Sequence, residues 1–173
     1  MGLFRAILMW LILALPASAQ PASPPVLIID SERLFIETLY GQRLSSELAK
    51  QAAELQEEND RIVESLTLEE RSLTVRRPDM EPEAFRAEAD AFDSKVQDVR
   101  QNRDAKNVEL QVATAEARSR FEQRVQGIVA NIMLERGSVL VLEQRNVVLS
   151  VRAANITDDA IVRIDAELGD GAE

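Results

Sequence analysis

The sequence contains no cysteine and no histidine among its 173 residues. Without these side chains the chain can form no disulfide, thiolate nucleophile, imidazole base or ordinary zinc site. No lysine follows a glycine as a P-loop requires, which excludes an ATP-driven cycle. The carboxylates are scattered, without a recognisable acid/base pair or metal cluster. We therefore expect that the protein is not an enzyme and holds no cofactor.

Basic residues are outnumbered by acidic ones, 20 against 30, which gives a formal net charge of −10. An excess of negative charge repels polyanions. The composition therefore excludes nucleic acid as a general partner.

The first 19 residues have the features of a secretory leader. Arg5 supplies a positive start, residues 6–15 are apolar, and Ala17-Ser18-Ala19 is a small-residue cleavage signal. The apolar stretch is shorter than the ~20 residues that a spanning helix needs, although a short uncleaved anchor is the alternative. We predict cleavage after residue 19, a flexible lead-in with the first strand over residues 20–30, and a soluble product in an extracytoplasmic compartment.

Proline is scarce, and its placement divides the chain. Four of the six prolines precede Val26, and the other two are Pro78 and Pro82. Two long stretches therefore lack the strongest helix breaker. Between them, two prolines four residues apart predict a tight reversal over residues 76–82.

Both stretches carry a narrow apolar seam with a seven-residue period, which is typical of a coiled coil. On the first stretch the seam positions are Leu48, Ala52, Leu55, Asn59, Ile62, Leu66, Glu69 and Leu73. On the second they are Phe85, Ala89, Phe92, Val96, Val99, Arg103, Lys106, Leu110, Ala113 and Ala117. We predict an antiparallel helical hairpin arm over residues 31–136, with facing residue numbers that add up to about 158. The alternative is one side of an ordinary helix bundle, which generally needs a wider stripe.

Beyond Gly137 the period changes from seven to two. Residues 139–142 and 147–151 read as a β-hairpin, followed by a short helix capped by Thr157 or Asp158, so that residues 137–173 complete a small body. The predicted fold class is α+β and mainly α, in the order β-α-α-β-β-α. So small a sheet is marginal alone, and we expect a homo-oligomer with a shared β-body. Its strand contacts are predicted at Val26, Ile28, Val139, Val141, Val147 and Leu149.

This order of a leader, a V-L-I-I-D strand, a charged hairpin, G-S-V-L-V-L-E-Q-R-N-V-V-L-S-V and N-I-T-D-D-A-I-V-R-I-D resembles the Skp/OmpH family of periplasmic chaperones. The resemblance implies a trimer whose arms enclose a cavity. It also implies that the protein holds unfolded outer-membrane β-barrel proteins without ATP. The family's better-known members have basic arms, whereas residues 31–136 carry a net charge of −6 here, so lipopolysaccharide binding is not inferred.

Three groups of arm residues are candidates for function. Asn59, Arg103 and Lys106 interrupt the seam and either let the arms bend or only specify pairing. Arg76 and Arg77 form a basic pair at the tip, where a membrane surface is a candidate contact, or they pair with neighbouring acids. Apolar residues outside the seam are candidate client contacts, namely Ile36, Leu68, Val75, Met80, Val108 and Val112.

Two further questions stay open at the level of sequence. Gly41 and Gly127 either loosen the arms where they leave the body or allow close packing. The protein as a whole could instead be a coiled-coil spacer of the cell envelope or the hairpin subunit of an export adaptor. Adaptors of that sort flank the hairpin with substantial β domains, whereas only residues 26–30 precede it here.

Overall fold

The computed structural model describes residues 26–172. The predicted leader over residues 1–19 and the lead-in over residues 20–25 lie outside the described residues. The elements in chain order are β1 (Val26–Ile29), α1 (Ser31–Glu37), α2 (Leu39–Arg76), α3 (Pro82–Glu135), β2 (Leu140–Glu143) and α4 (Thr157–Leu168).

The sheet of the described chain has two strands. β1 is rich in β-branched residues and pairs in parallel with β2, with Val26 opposite Leu140. On its other side the carbonyl of Ile28 accepts a hydrogen bond of 2.9 Å from the Ile156 amide. β1 is therefore enclosed on both edges, and three of its four residues are buried.

The predicted β-hairpin after Gly137 is wrong for the single chain. After β2 the chain makes a short 3-10 turn at Gln144–Asn146, and residues 147–151 belong to no strand. Val148 is 103% exposed and Leu149 is 91% exposed. Alternation of apolar residues shows that a segment can form a strand, but a strand also needs a partner for its backbone groups. Within residues 26–172 this segment has no such partner.

The sequence predicts one helix from Ser31 into the arm, but the structure has two helices, α1 and α2, which are separated at Thr38. Asp30 caps α1, because its carboxylate accepts a hydrogen bond of 3.0 Å from the Arg33 amide. Thr38, which is fully buried, has an extended backbone that separates α1 from α2. Its hydroxyl donates to the Leu34 carbonyl over 2.7 Å and accepts from the Gly41 amide over 3.2 Å. One threonine thus ends the first helix and caps the second.

The arms are the 38-residue helix α2 and the 54-residue helix α3. At 1.5 Å per residue they extend about 55 Å and about 80 Å. The predicted reversal over residues 76–82 is confirmed: α2 ends at Arg76, a 3-10 turn spans Arg77–Asp79, and Pro82 is the first residue of α3. Proline suits the first position of a helix, because an amide hydrogen there would have no partner within the helix and proline does not carry one.

The seam lies between the arms where the seven-residue period predicts it. Leu73 near the tip and Ala117 nearer the sheet are buried, and most other seam residues are partly buried. The seam positions that remain exposed are Ala52, Glu69, Arg103 and Lys106.

The ion pairs between the arms join residues whose numbers add up to more than the sum predicted for facing seam positions. Three ion pairs connect the two arms, and their residue numbers add up to 164 in each case: Arg76–Glu88, Glu69–Lys95 and Glu58–Lys106. The sequence predicted about 158 for facing positions. Side chains lean toward the N-terminus of their helix, which raises the numbers of residues whose ends meet across an antiparallel pair.

A single hydrophobic core, which we call the root, joins both ends of the hairpin to the sheet and to α4. Phe121 of α3 makes an edge-to-face contact with Phe35, with ring centroids 5.2 Å apart, and contacts Tyr40 over 5.6 Å. The buried members of the root are Leu27, Ile29, Leu34, Phe35, Tyr40, Leu44, Phe121, Val125, Ile128, Ile132, Ile156, Ala160 and Ile164.

The cap of α4 also differs from the prediction, which named Thr157 or Asp158. The N-cap residue is instead Ile156, which has no capping side chain, and the Asn155 side chain before it accepts a hydrogen bond of 2.9 Å from the Thr157 amide. The Thr157 hydroxyl is buried and accepts from the Asp30 amide over 3.0 Å, while Asp158 pairs with Arg33. Both predicted caps therefore connect α4 to the start of α1.

The two arm glycines have different surroundings, which allows a matched test. A Cβ on Gly41 would lie 1.9 Å from the Phe35 carbonyl oxygen, whereas a Cβ on Gly127 would meet nothing within 4 Å. We expect Gly41→Ala to destabilise the protein by about 3 kcal/mol, because a backbone group would have to move. Gly127→Ala should stabilise it by about 0.5–1 kcal/mol, because alanine is the better helix former. Urea unfolding followed by circular dichroism measures both changes in the free energy of unfolding. Equal changes would contradict the close contact between Gly41 and the Phe35 carbonyl.

Candidate functional site

The predicted client contacts are mostly exposed but do not form one cluster. Five of the six are at least half exposed, while Met80 at the tip is partly buried. Ile36 lies on α1 at the root. Leu68 and Val75 lie on the outer side of α2, and Val108 and Val112 on the outer side of α3.

Other exposed apolar residues were not predicted. Val63 is 55% exposed beside the seam, and Leu39 is 50% exposed at the start of α2. Leu134 and Val162 are also exposed, near the end of α3 and on α4. Plotting every apolar residue on the helical period would have identified Val63. The other three needed the position of the root, which decides the covered side of each helix.

The basic pair at the tip is occupied by contacts within the hairpin. Arg76 donates two hydrogen bonds, of 2.6 and 3.3 Å, to the Glu88 carboxylate. These bonds lower the pKa of Glu88. The guanidinium of Arg77 lies over the Phe85 ring, 5.0 Å from its centroid. Because both cations contact their own chain, we do not propose the tip as a membrane-binding site.

The three polar seam residues come together in the middle of the arms. Asn59, Arg103 and Lys106 line a cleft of about 210 Å³ together with Ile62 and Val99. Asn59 is partly buried, while Arg103 and Lys106 are exposed. The polar seam residues therefore leave a cleft between the arms at this point.

Lys106 has left the seam to form an ion pair. Its ammonium group is 2.6 Å from the Glu58 carboxylate on the opposite arm. Both side chains are more than 40% exposed, so solvent screens the attraction and the pair adds little to stability. The pair connects the arms without filling the cleft between them.

A larger cleft, of about 480 Å³, lies where α3 passes the root. Arg118 donates hydrogen bonds of 2.6 and 3.0 Å to the Glu32 carboxylate, and these bonds lower the pKa of Glu32. The Arg118 guanidinium also lies 4.8 Å from the centroid of the Phe35 ring. The Ser31 hydroxyl donates to Glu143 over 2.6 Å. These charges are paired with one another in contacts that hold α1, α3 and β2 together. Among residues 26–172, no group of three or more carboxylates is placed to hold a metal ion.

The residues predicted to contact partner strands fall into two sets. Ile28 is buried inside its own chain, and Val26, Val141 and Val147 are partly buried. Val139 and Leu149 are strongly exposed, at 79% and 91%. The exposed set continues with Val148 and Val151, so that apolar side chains lie in open solvent beside β2.

None of the helices in the described range is long and apolar enough to cross a membrane. The fold and these surfaces define a class of protein with a long helical hairpin that projects from a small α/β root.

The chain belongs to the OmpH-like family, because residues 25–164 match the family described as Outer membrane protein (OmpH-like). The resemblance to the Skp/OmpH family is thereby confirmed, and it supports a chaperone role. The fold is similar to the crystal structure of a candidate outer membrane chaperone (OmpH-like) from Caulobacter crescentus CB15. The two chains are 21% identical with a TM-score of 0.78, over 89% of this chain and 91% of the other. The comparison with curated proteins gives no match.

Proposed function

We propose that this protein is an ATP-independent holdase of the periplasm, which binds unfolded outer-membrane β-barrel proteins in a cavity between the hairpins of its oligomer and prevents their aggregation. The observation that carries the proposal is a projecting hairpin, in a member of the OmpH-like family, with apolar side chains exposed along its outer surface. The predicted leader supports a periplasmic location. Many weak apolar contacts from several arms provide avidity without a nucleotide.

The proposed client contacts are the six residues predicted from the sequence. Ile36, Leu68, Val75, Val108 and Val112 offer apolar surface that folding of the single chain has left uncovered. Met80 adds a flexible side chain at the tip.

We also propose a homotrimer, in which strands from neighbouring copies complete the root. The segment over residues 147–151 supports self-association, because Val148, Leu149 and Val151 are exposed and the segment pairs with no strand within residues 26–172. The number three follows from the family resemblance.

Sedimentation at micromolar concentration tests the assembly. We expect a single species with three times the mass of the chain. A variant with Val148→Lys and Leu149→Lys should sediment as a smaller species, whereas Val162→Lys, at an exposed apolar residue on α4, should leave the trimer intact. A stable, folded monomer of the unaltered protein would contradict the proposal.

Light scattering tests the holdase. Unfolded outer-membrane protein is diluted from denaturant into buffer that contains the protein but no ATP. We expect aggregation to be suppressed at about one oligomer per client, because one cavity holds one chain. The absence of suppression, together with tight binding to a fixed envelope component, would instead favour the spacer.

We further propose that the polar middle of the seam lets the arms bend and widen the cavity. The open cleft at Asn59, Arg103 and Lys106 supports this role. Replacing all three by leucine should close the seam, because apolar residues at these positions pack more stably.

The leucine variant should slow amide hydrogen exchange in the middle of both arms and narrow the range of client lengths that are held. As a control, the same number of leucines is placed away from the seam of α2, at Glu57, Asp60 and Thr67, where they leave the seam unchanged. If the triple seam variant holds the same range of clients as the unaltered protein, the arms do not bend at this point.

A further inference from the structure

The second arm has an exposed face, opposite its seam, that is almost free of charge. We call it the back face. Its positions begin at Ala84 and recur at alternating steps of three and four residues to Ser119. Of these eleven positions, five are alanine, two are valine, two are serine, one is glutamine and one is Asp98. All eleven are exposed, and the face extends about 50 Å along α3.

The corresponding face of the first arm is different. Nine equivalent outer positions of α2, from Glu47 to Val75, include seven charged residues. The first arm is therefore an amphipathic helix of the usual kind, with one apolar side and one charged side. The second arm has apolar or small residues on two opposite sides, at the seam and at the back face. The charged outer face of α2 is sufficient to keep that helix soluble. Solubility therefore does not explain why the outer face of α3 is almost free of charge.

Both edges of the back face are acidic. Five carboxylates border it: Glu83, Asp90, Asp104, Glu109 and Glu116. Among the described residues, none of the five takes part in an ion pair. The other charged residues along these edges are also paired: Glu88 and Lys95 with the first arm, and Arg118 with Glu32 of α1. The arginines of the middle of this arm lie beside the seam and away from the back face.

This charge pattern restricts what can bind the back face. A second copy of the same face would bring identical carboxylates together, which costs free energy. Anionic lipid or nucleic acid would be repelled for the same reason. An extended polypeptide with apolar side chains and interspersed lysine or arginine meets no such repulsion, because its cations can reach the carboxylates on either edge.

We propose that the back face of α3 binds unfolded polypeptide segments that are apolar and positively charged. This inference rests on the proposed holdase function and names the class of segment that is held. Val108 and Val112 supply the largest apolar contacts, at 57% and 50% exposure, and Asp104 and Glu109 border them on opposite edges. Alanine offers little area for apolar attraction, so the carboxylates contribute a large share of the selectivity.

Two synthetic peptides test the proposal. Both have twenty residues and the same apolar residues, and they carry either four lysines or four glutamates at the same positions. Fluorescence anisotropy measures their binding to the full-length protein at low salt. We expect the lysine peptide to bind about tenfold more tightly than the glutamate peptide, and the difference to shrink at 0.5 M salt as the charges are screened.

A matched pair of variants locates the site. Asp104→Lys with Glu109→Lys reverses two charges beside Val108 and Val112. Glu57→Lys with Glu64→Lys makes the same change in net charge on the outer face of α2. We expect the first variant to lose about tenfold in affinity for the lysine peptide and to gain affinity for the glutamate peptide. The second variant should change both affinities by less than about twofold, since its charges lie on the other arm.

The outcomes separate this inference from the function on which it rests. Equal binding of the two peptides, or equal effects of the two variants, would overturn the back face as a site for cationic segments, even if aggregation is still suppressed. If the protein suppresses no aggregation of unfolded outer-membrane protein but binds the lysine peptide at the back face, the holdase fails and the surface assignment stands. Circular dichroism of both variants confirms that the helices are intact.

Discussion

The contact on which the rest of the structure depends is the packing of Phe121 against Phe35 and Tyr40. The sheet has only two strands of four residues each, which is too little to be stable alone. Phe121 belongs to the returning arm, Phe35 to the first short helix, and Tyr40 to the start of the outgoing arm. One aromatic cluster therefore fixes both ends of the hairpin, and Thr38 sets the angle at which the outgoing arm leaves.

Away from the root, the protein depends on progressively weaker interactions. Between the arms the seam is narrow, its middle opens around Asn59, and the ion pairs that cross it are exposed to solvent and contribute little each. A hairpin that is fixed at one end and loosely packed in the middle can change its shape without unfolding the root. In the proposed function, this loosely packed middle allows the hairpin to hold clients of different lengths. In our proposal, the back face of α3 and its acidic edges then select which segments of a client are attracted.

Much of the architecture could be predicted from the sequence because it depends on local patterns. Seven-residue periodicity predicted the seam, and Pro78 with Pro82 predicted the tip. What could not be predicted were contacts between residues far apart in the chain. Nothing local shows that Thr38 is buried by distant parts of the chain, or that Arg118 contacts Glu32. The strand predicted over residues 147–151 does not form in the single chain, because alternation reports which side chains are apolar and not whether a partner strand is present.

The sequence by itself determined which segments are helical, where the hairpin turns and which side of each arm is buried, because periodicity and proline act over a few residues. It also determined, through the absence of cysteine and histidine, which chemistry is unavailable. Only the tertiary structure decided how the two ends of the hairpin meet at Phe121, which charges are paired and which apolar side chains remain exposed. Those properties depend on the distance between residues more than eighty positions apart in the chain, such as Glu32 and Arg118. Such distances exist only once the root has packed.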